Sequence, residues 1–380
     1  MKKICFILAA LLLCLASVTA PAESAEKILR TNFVSDPVTI DPSLTTEISS
    51  AQVIMNCFEG LMGYDKDGRL VPAAAESYTM SDDGLVYTFK LREDRVWSNG
   101  DPVLASDFEF AWKRILTPET AGDYATELYY IKNGRAYNSG EAEASDVGVK
   151  ALDERTLEVT LESPTGYFLE LTTVFFYMPE NEKVVSANPE WTLDAATYVG
   201  NGPFKLREWR PKDRIIIERN DKYNGADKAK LDAIEFRILP DPNSTLSTYE
   251  AGDLDVVDSN VPAAMIPTLI EEGKAQTVPY LASVWMHFNV SDNAMEYDPV
   301  QAKATLDPRV RRALNLAVDR TVLVKNISRA GEKPATSFVP YGIIGRDGKD
   351  YKTKDYFKPE GDVAEAKRLL AEAGYPDGKG

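Results

Sequence analysis

The sequence predicts an α/β or α+β fold built on several sheets. Three patterns carry that expectation: apolar residues at helical spacing in some segments, period-two alternation in others, and Gly-, Pro- and Asn-containing turns between them. At 380 residues the chain is also longer than a single hydrophobic core usually serves.

The elements follow in order. Lys2 and Lys3 precede an apolar run from Ile4 to Ala16, with small residues at Ala20 and Ala22. The run is too short to cross a bilayer and reads as an export leader, residues 1–22, cleaved after Ala22 or after Ala25. Lipidation at Cys14 is the alternative, against which Leu13 is larger than a lipobox takes there. Ser49 and Ser50 stand before Val53, Ile54, Cys57, Phe58 and Leu61, a helical spacing. Cys57 lies on that stripe and reads as a small buried hydrophobe, with a reactive thiol as the alternative. Asp65-Lys66-Asp67-Gly68 reads as a tight turn, because Gly68 arrives too early for a calcium loop.

Tyr87, Phe89 and Leu91 alternate as in a strand, and Ser98 to Pro102 is a turn. Ser106-Asp107-Phe108-Glu109 fits a capping box that opens a helix through Ala111, Trp112 and Ile115. Leu157, Val159 and Leu161 mark a strand, as do Ile234, Phe236 and Ile238, with a turn at Asn201-Gly202-Pro203 between them. Ser283 to Val290 predicts another strand, with Val284, Met286 and Phe288 on one face and Trp285, His287 and Asn289 on the other. That second face suits a ligand wall, a solvent face or an inter-domain surface. Asp307-Pro308 starts a helix with Val310, Leu314 and Val318 on one side. Asp362 and Glu365 cap a last one carrying Val363, Ala366, Leu369 and Leu370, which Gly374 ends.

Charge and composition narrow the function. Lys plus Arg number 43 against 59 Asp plus Glu, a net charge of −16. Loss of the leader removes Lys2 and Lys3, leaving 41 against 59, a net of −18, and one cysteine. Such a surface argues against nucleic acid as partner, since phosphates need the opposite field. With one histidine, a two-histidine zinc site is excluded and any Ser-His-Asp arrangement would have to use His287. No G-x-S-x-G surrounds a serine, and Pro203 breaks Gly200-Asn201-Gly202 as a dinucleotide fingerprint. Gly345 to Lys349 lacks the spacing of a phosphate loop. No catalytic residue, metal ligand or cofactor is assigned.

Several stretches, in this order, resemble the periplasmic oligopeptide-binding proteins, family 5 of the extracellular solute-binding proteins that feed ABC importers. They are Thr39-Ile40-Asp41-Pro42, Phe58-Glu59-Gly60-Leu61, Tyr87 to Arg92, Trp97 to Val103, Asp107-Phe108 with Trp112, and Leu157 to Leu161. Asn201 to Leu206, Ile217 to Asn220, Gly252 to Asp255, Asp307 to Arg311 and Leu369 to Tyr375 complete the series.

The resemblance implies a type II, two-lobed periplasmic-binding-protein-like α/β fold with an extra domain, closing around its ligand. Residues 23–59 and 182–281 would form the first lobe, 60–181 the extra domain and 282–380 the second lobe. Family chains continue beyond the Leu369 to Tyr375 helix, so an incomplete second lobe is expected. Thr46, Glu47 and Ile48 match a segment lent to the peptide backbone, and Tyr124 matches a tyrosine reaching the ligand region. Asn260, Trp285 and His287 fall near the lobe crossover. The implied role is peptide capture in the periplasm by a monomer, cofactor-free and non-enzymatic, delivering to an ABC permease. The alternatives are another solute on the same fold (dipeptide, metal chelate, haem or oligosaccharide), a truncated remnant that does not bind, or an exported hydrolase.

Overall fold

Alternation like that of Leu157, Val159 and Leu161 calls for sheets with one buried face. The computed structural model describes residues 26–225, 229–258, 260–345 and 347–379, so the leader expected over 1–22 lies outside the described residues. Among these, the strands are β1 (Ile28–Phe33), β2 (Met62–Tyr64), β3 (Leu70–Pro72), β4 (Ala75–Met80), β5 (Val86–Leu91), β6 (Val149–Asp153), β7 (Thr156–Thr160), β8 (Phe204–Arg210), β9 (Arg214–Arg219) and β10 (Ala233–Ile238). The chain divides into two compact units, the first ending at Asn260 and the second starting at Val261. All of these strands belong to the first.

The first sheet has the order β1-β10-β9-β8, with β1 parallel to β10 and the other pairs antiparallel. It therefore joins the start of the described chain to a stretch some two hundred residues later, and Phe33 stacks on Phe236 with ring centroids 4.4 Å apart. The second large sheet, β4-β5-β7-β6, is antiparallel throughout. Phe89 faces Leu157 and Tyr87 faces Val159 across β5 and β7, and all four are buried, as the alternation predicted. The turn at Asp65 joins the hairpin β2–β3, with the Asp65 carboxylate accepting the backbone N–H groups of Asp67 and Arg69.

Four helices bear on the expectations: α1 (Ile48–Cys57), α2 (Ala105–Leu116), α3 (Pro308–Leu316) and α4 (Val363–Glu372). α1 buries Val53, Ile54 and Cys57 and stops there because Phe58 turns extended, at φ −126° and ψ 157°. Burial pushes the Cys57 thiol up, so it packs as a hydrophobe rather than standing ready as a thiolate. α2 corrects the capping-box reading. Its N-cap is Leu104, not Ser106, and Asp107 stands at the third helical position. There the Asp107 carboxylate accepts from the Leu104 N–H at 2.8 Å and from Trp97 Nε1 at 3.0 Å. The buried indole draws the carboxylate back, which places the helix start one residue before Ser106.

In the second unit the Asp307 and Asp362 carboxylates cap α3 and α4 through the N–H groups of Arg309 and Glu365. The buried face of α3 is Val310, Ala313 and Leu316, not Val310, Leu314 and Val318. α4 decides this: Ala366 packs with Ala313 and Leu316, leaving Leu314 41% exposed. The strand expected over Ser283 to Val290 is not formed. A strand exists only through its ladder partner, and among the described residues the second unit has no strand, only an isolated Ile344–Asp350 bridge. Val284 and Met286, expected to share one face of that strand, are 97% and 79% exposed.

Candidate functional site

The segment from Ile40 to Ile48 links the strand β1 region to α1, and long-range polar contacts bolt it down. Arg114, from α2, forks onto Asp41 with both nitrogens at 2.8 Å, the bidentate geometry that makes such pairs strong. The same guanidinium meets Glu180 at 2.9 Å. Ser43 Oγ donates to Glu180 Oε1 at 2.7 Å, and Trp191 Nε1 donates to Asp41 Oδ2 at 3.2 Å. Backbone turns close the loop, with the Leu44 and Thr45 N–H groups both donating to the Asp41 carbonyl. Tyr198 OH donates to the Ile40 carbonyl at 2.9 Å.

One guanidinium here serves two buried carboxylates. Burial and the charge of Asp41 push Glu180 up to about 8, outweighing the pull of Arg114 and Ser43. Burial works against the charge of Arg114 as well, yet its hydrogen bonds to Asp41 and the two neighbouring charges hold it above its usual range. The cluster therefore sets two carboxylates around one cation, and that crowding is part of what raises Glu180. The stability consequence has a definite sign, because the folded value lies above the ordinary 4.5. The contribution is complete below the unfolded value and drains away as pH rises through about 8. Glu180→Gln should thus flatten the decline in thermal midpoint across that window, and coincident wild-type and variant profiles would refute the assignment.

A second polar knot closes the other end of α1. Arg95 Nε donates to Glu59 Oε2 and Tyr223 OH to Glu59 Oε1, each at 2.8 Å. Burial raises the Glu59 carboxyl, with Arg95 opposing. Asn201 pairs with both backbone groups of Glu59 at 2.9 Å. Gly202 approaches so closely that a Cβ there would lie 2.6 Å from the Phe58 nitrogen, so the expected Asn201-Gly202 turn is a docking strip for residues 57–59.

The residues singled out from sequence fall into separate groups. Thr46 and Ile48 are exposed, while the Glu47 carboxylate accepts the Val38 N–H at 2.9 Å. Tyr124 lies half-buried, stacked on Phe176 at 5.1 Å and edge-on to Phe175 at 5.5 Å. Its turn touches the same segment, since a Cβ on Gly122 would lie 2.8 Å from the Ser43 carbonyl oxygen. Asn260 adopts the left-handed conformation, φ 73°, and donates to the Leu239 and Pro240 carbonyls. In the second unit Trp285 Nε1 donates to His287 Nε2, and Trp285 also packs on Phe338 at 4.7 Å. His287, Asn289, Tyr297 and Gln301 line a cavity of about 240 Å³. Asp41, Ser43, Arg114 and Glu180 were not picked out as site residues from the sequence. The only local signal was Asp41-Pro42-Ser43, where the Asp41 carboxylate accepts the Ser43 N–H at 2.9 Å.

The mixed first sheet and the antiparallel sheet inserted in its sequence have the architecture of a bacterial solute-binding protein. The structure is similar to OppA of Burkholderia pseudomallei, with a TM-score of 0.83 and 29% identity over 94% of this chain and 68% of that one. The chain belongs to the bacterial extracellular solute-binding proteins, family 5, whose middle-region model matches residues 69–380. It is 40% identical over 349 residues to the dipeptide-binding protein DppE of Bacillus subtilis, covering 91% of this chain and 62% of DppE. To the periplasmic oligopeptide-binding protein OppA of Salmonella typhimurium it is 34% identical over 369 residues, covering 95% of this chain and 65% of OppA. The chain thus spans less than two thirds of the length of these relatives. The family is one of solute binders rather than enzymes. Among the described residues no helix is long and apolar enough to cross a membrane.

Proposed function

We propose that the protein captures peptides outside the cytoplasmic membrane and delivers them to the permease of an ABC importer, without catalysing a reaction. One observation carries this reading: similarity over nine-tenths of the chain to proteins named for binding dipeptides and oligopeptides. The layout that goes with it is a discontinuous first lobe, residues 23–59 and 182–281, an extra domain over 60–181, and part of a second lobe over 282–380. The pairing of β1 with β10 supports the discontinuity, because β4 to β7 lie between them in sequence but in another sheet. Export by a leader cleaved after Ala22 or Ala25, a periplasmic location, a monomeric state and the absence of a cofactor belong to the same reading.

The residues assigned to ligand contact in this reading are Thr46, Glu47, Ile48, Tyr124, Asn260, Trp285 and His287. The exposed residues Thr46 and Ile48, next to a loop tied down by buried contacts, suit recognition of an extended peptide. Calorimetric titration with dialanine through pentaalanine should show saturable heat with at least one length, accompanied by a raised melting temperature. No response to any peptide, together with saturable binding of a nickel chelate, haem, an oligosaccharide or deoxycholate, would overturn the assignment.

A further inference from the structure

We infer that the buried Asp41–Arg114–Glu180 cluster, acting through Ser43, is a positioning device that presents Thr46 to Ile48 in binding-ready form and so sets ligand affinity without touching the ligand. The inference rests on the peptide-binding reading of that segment.

A buried charge network is a weak source of stability, because desolvation offsets much of the attraction; its better-attested use is to fix one arrangement among several. Here the arrangement it holds is specific. The three charges come from places far apart in sequence: Arg114 reaches Asp41 across 73 residues and Glu180 across 66. They converge on a loop with no regular secondary structure of its own.

The loop is anchored up to Thr45, which is buried, and then emerges: Thr46 is exposed and Ile48 is 77% exposed. Only Thr46 and Glu47 separate that anchor from the first residue of α1. Glu47 removes the remaining slack, since its carboxylate ties back to the Val38 N–H and lies 3.5 Å from Ser50 Oγ. On the far side Gly122 presses against the Ser43 carbonyl oxygen, which couples the loop to the turn carrying Tyr124. A segment held this way loses little conformational freedom when a ligand pairs with its main chain, and lower ordering cost appears as affinity.

Ser43 is the informative position, because Ser43→Ala cuts the tether to Glu180 without stranding a charge. Its dissociation constant for trialanine should rise about tenfold, the scale of one or two side chains newly ordered on binding. The ligand-free melting temperature should stay close to wild type. Hydrogen exchange on the ligand-free protein supplies a readout independent of any peptide: the amides of Leu44 to Ile48 should exchange faster in Ser43→Ala than in wild type.

Unchanged affinity and unchanged exchange in Ser43→Ala would overturn the inference. So would an affinity loss that merely tracks a loss of folded protein. If wild type binds no peptide at all, the functional reading fails, while the exchange comparison still decides whether the cluster orders the segment.

Discussion

Arg114→Leu is expected to unfold the first unit under mild denaturant. The change leaves Asp41 and Glu180, whose side chains are 4% and 0% exposed, without their shared cation. Removing one partner from a buried ion network costs about 3–5 kcal/mol, against a total stability of roughly 5–15 kcal/mol for a domain. Urea titration followed by tryptophan fluorescence reads this directly, since Trp97, Trp112, Trp191 and Trp209 lie in the first unit and Trp285 in the second. Replacing all three charges together, as Asp41→Asn, Arg114→Leu and Glu180→Gln, should recover much of the loss, because no uncompensated charge then remains buried. A single Arg114→Leu variant with a wild-type urea midpoint would mean that the shared cation contributes nothing to stability.

Phe58→Ala should cost nearly as much, for a different reason. The ring is 2% exposed and meets Trp97 and Trp191 edge-on at 6.3 Å and Tyr198 at 5.6 Å. Truncating a buried phenylalanine leaves a cavity and costs about 3–5 kcal/mol. The aromatic edge contacts add roughly 0.5–1.5 kcal/mol each beyond area. Phe58→Leu refills most of the volume and should restore part of the stability, though not the near-ultraviolet circular dichroism that the packed rings produce. Equal midpoints for the alanine variant and wild type would show that the core closes over the gap.

These two sites differ in how far they were legible beforehand. Phe58 fell on an apolar stripe with Val53, Ile54 and Cys57, and its burial follows from that spacing even though the helix stops one residue earlier. Tyr87, Phe89 and Leu91 likewise read correctly, because period-two burial is a property of neighbouring residues on one strand. The Asp307 and Asp362 caps are local too, each bonding within three residues.

Readings failed where the deciding partner was remote. Ser106 looked like a cap until the Trp97 indole claimed the Asp107 carboxylate. The buried side of α3 could not be chosen without knowing where α4 would lie. Ser283 to Val290 alternated as a strand should, but alternation supplies no ladder partner. Family resemblance alone marks the Thr46 to Ile48 segment, and although Asp41 stands close by, nothing near it in sequence points to Arg114 or Glu180.

The sequence by itself determined most of the periodic elements, the acidic character, the single histidine that leaves too few for most catalytic sites, and the family. The tertiary structure alone decided which charges were buried together and which loop they held. The reason is physical: burial patterns repeat along the backbone and are written in adjacent residues, whereas desolvation and ion pairing depend on groups such as Asp41, Arg114 and Glu180, which only folding brings within 3 Å.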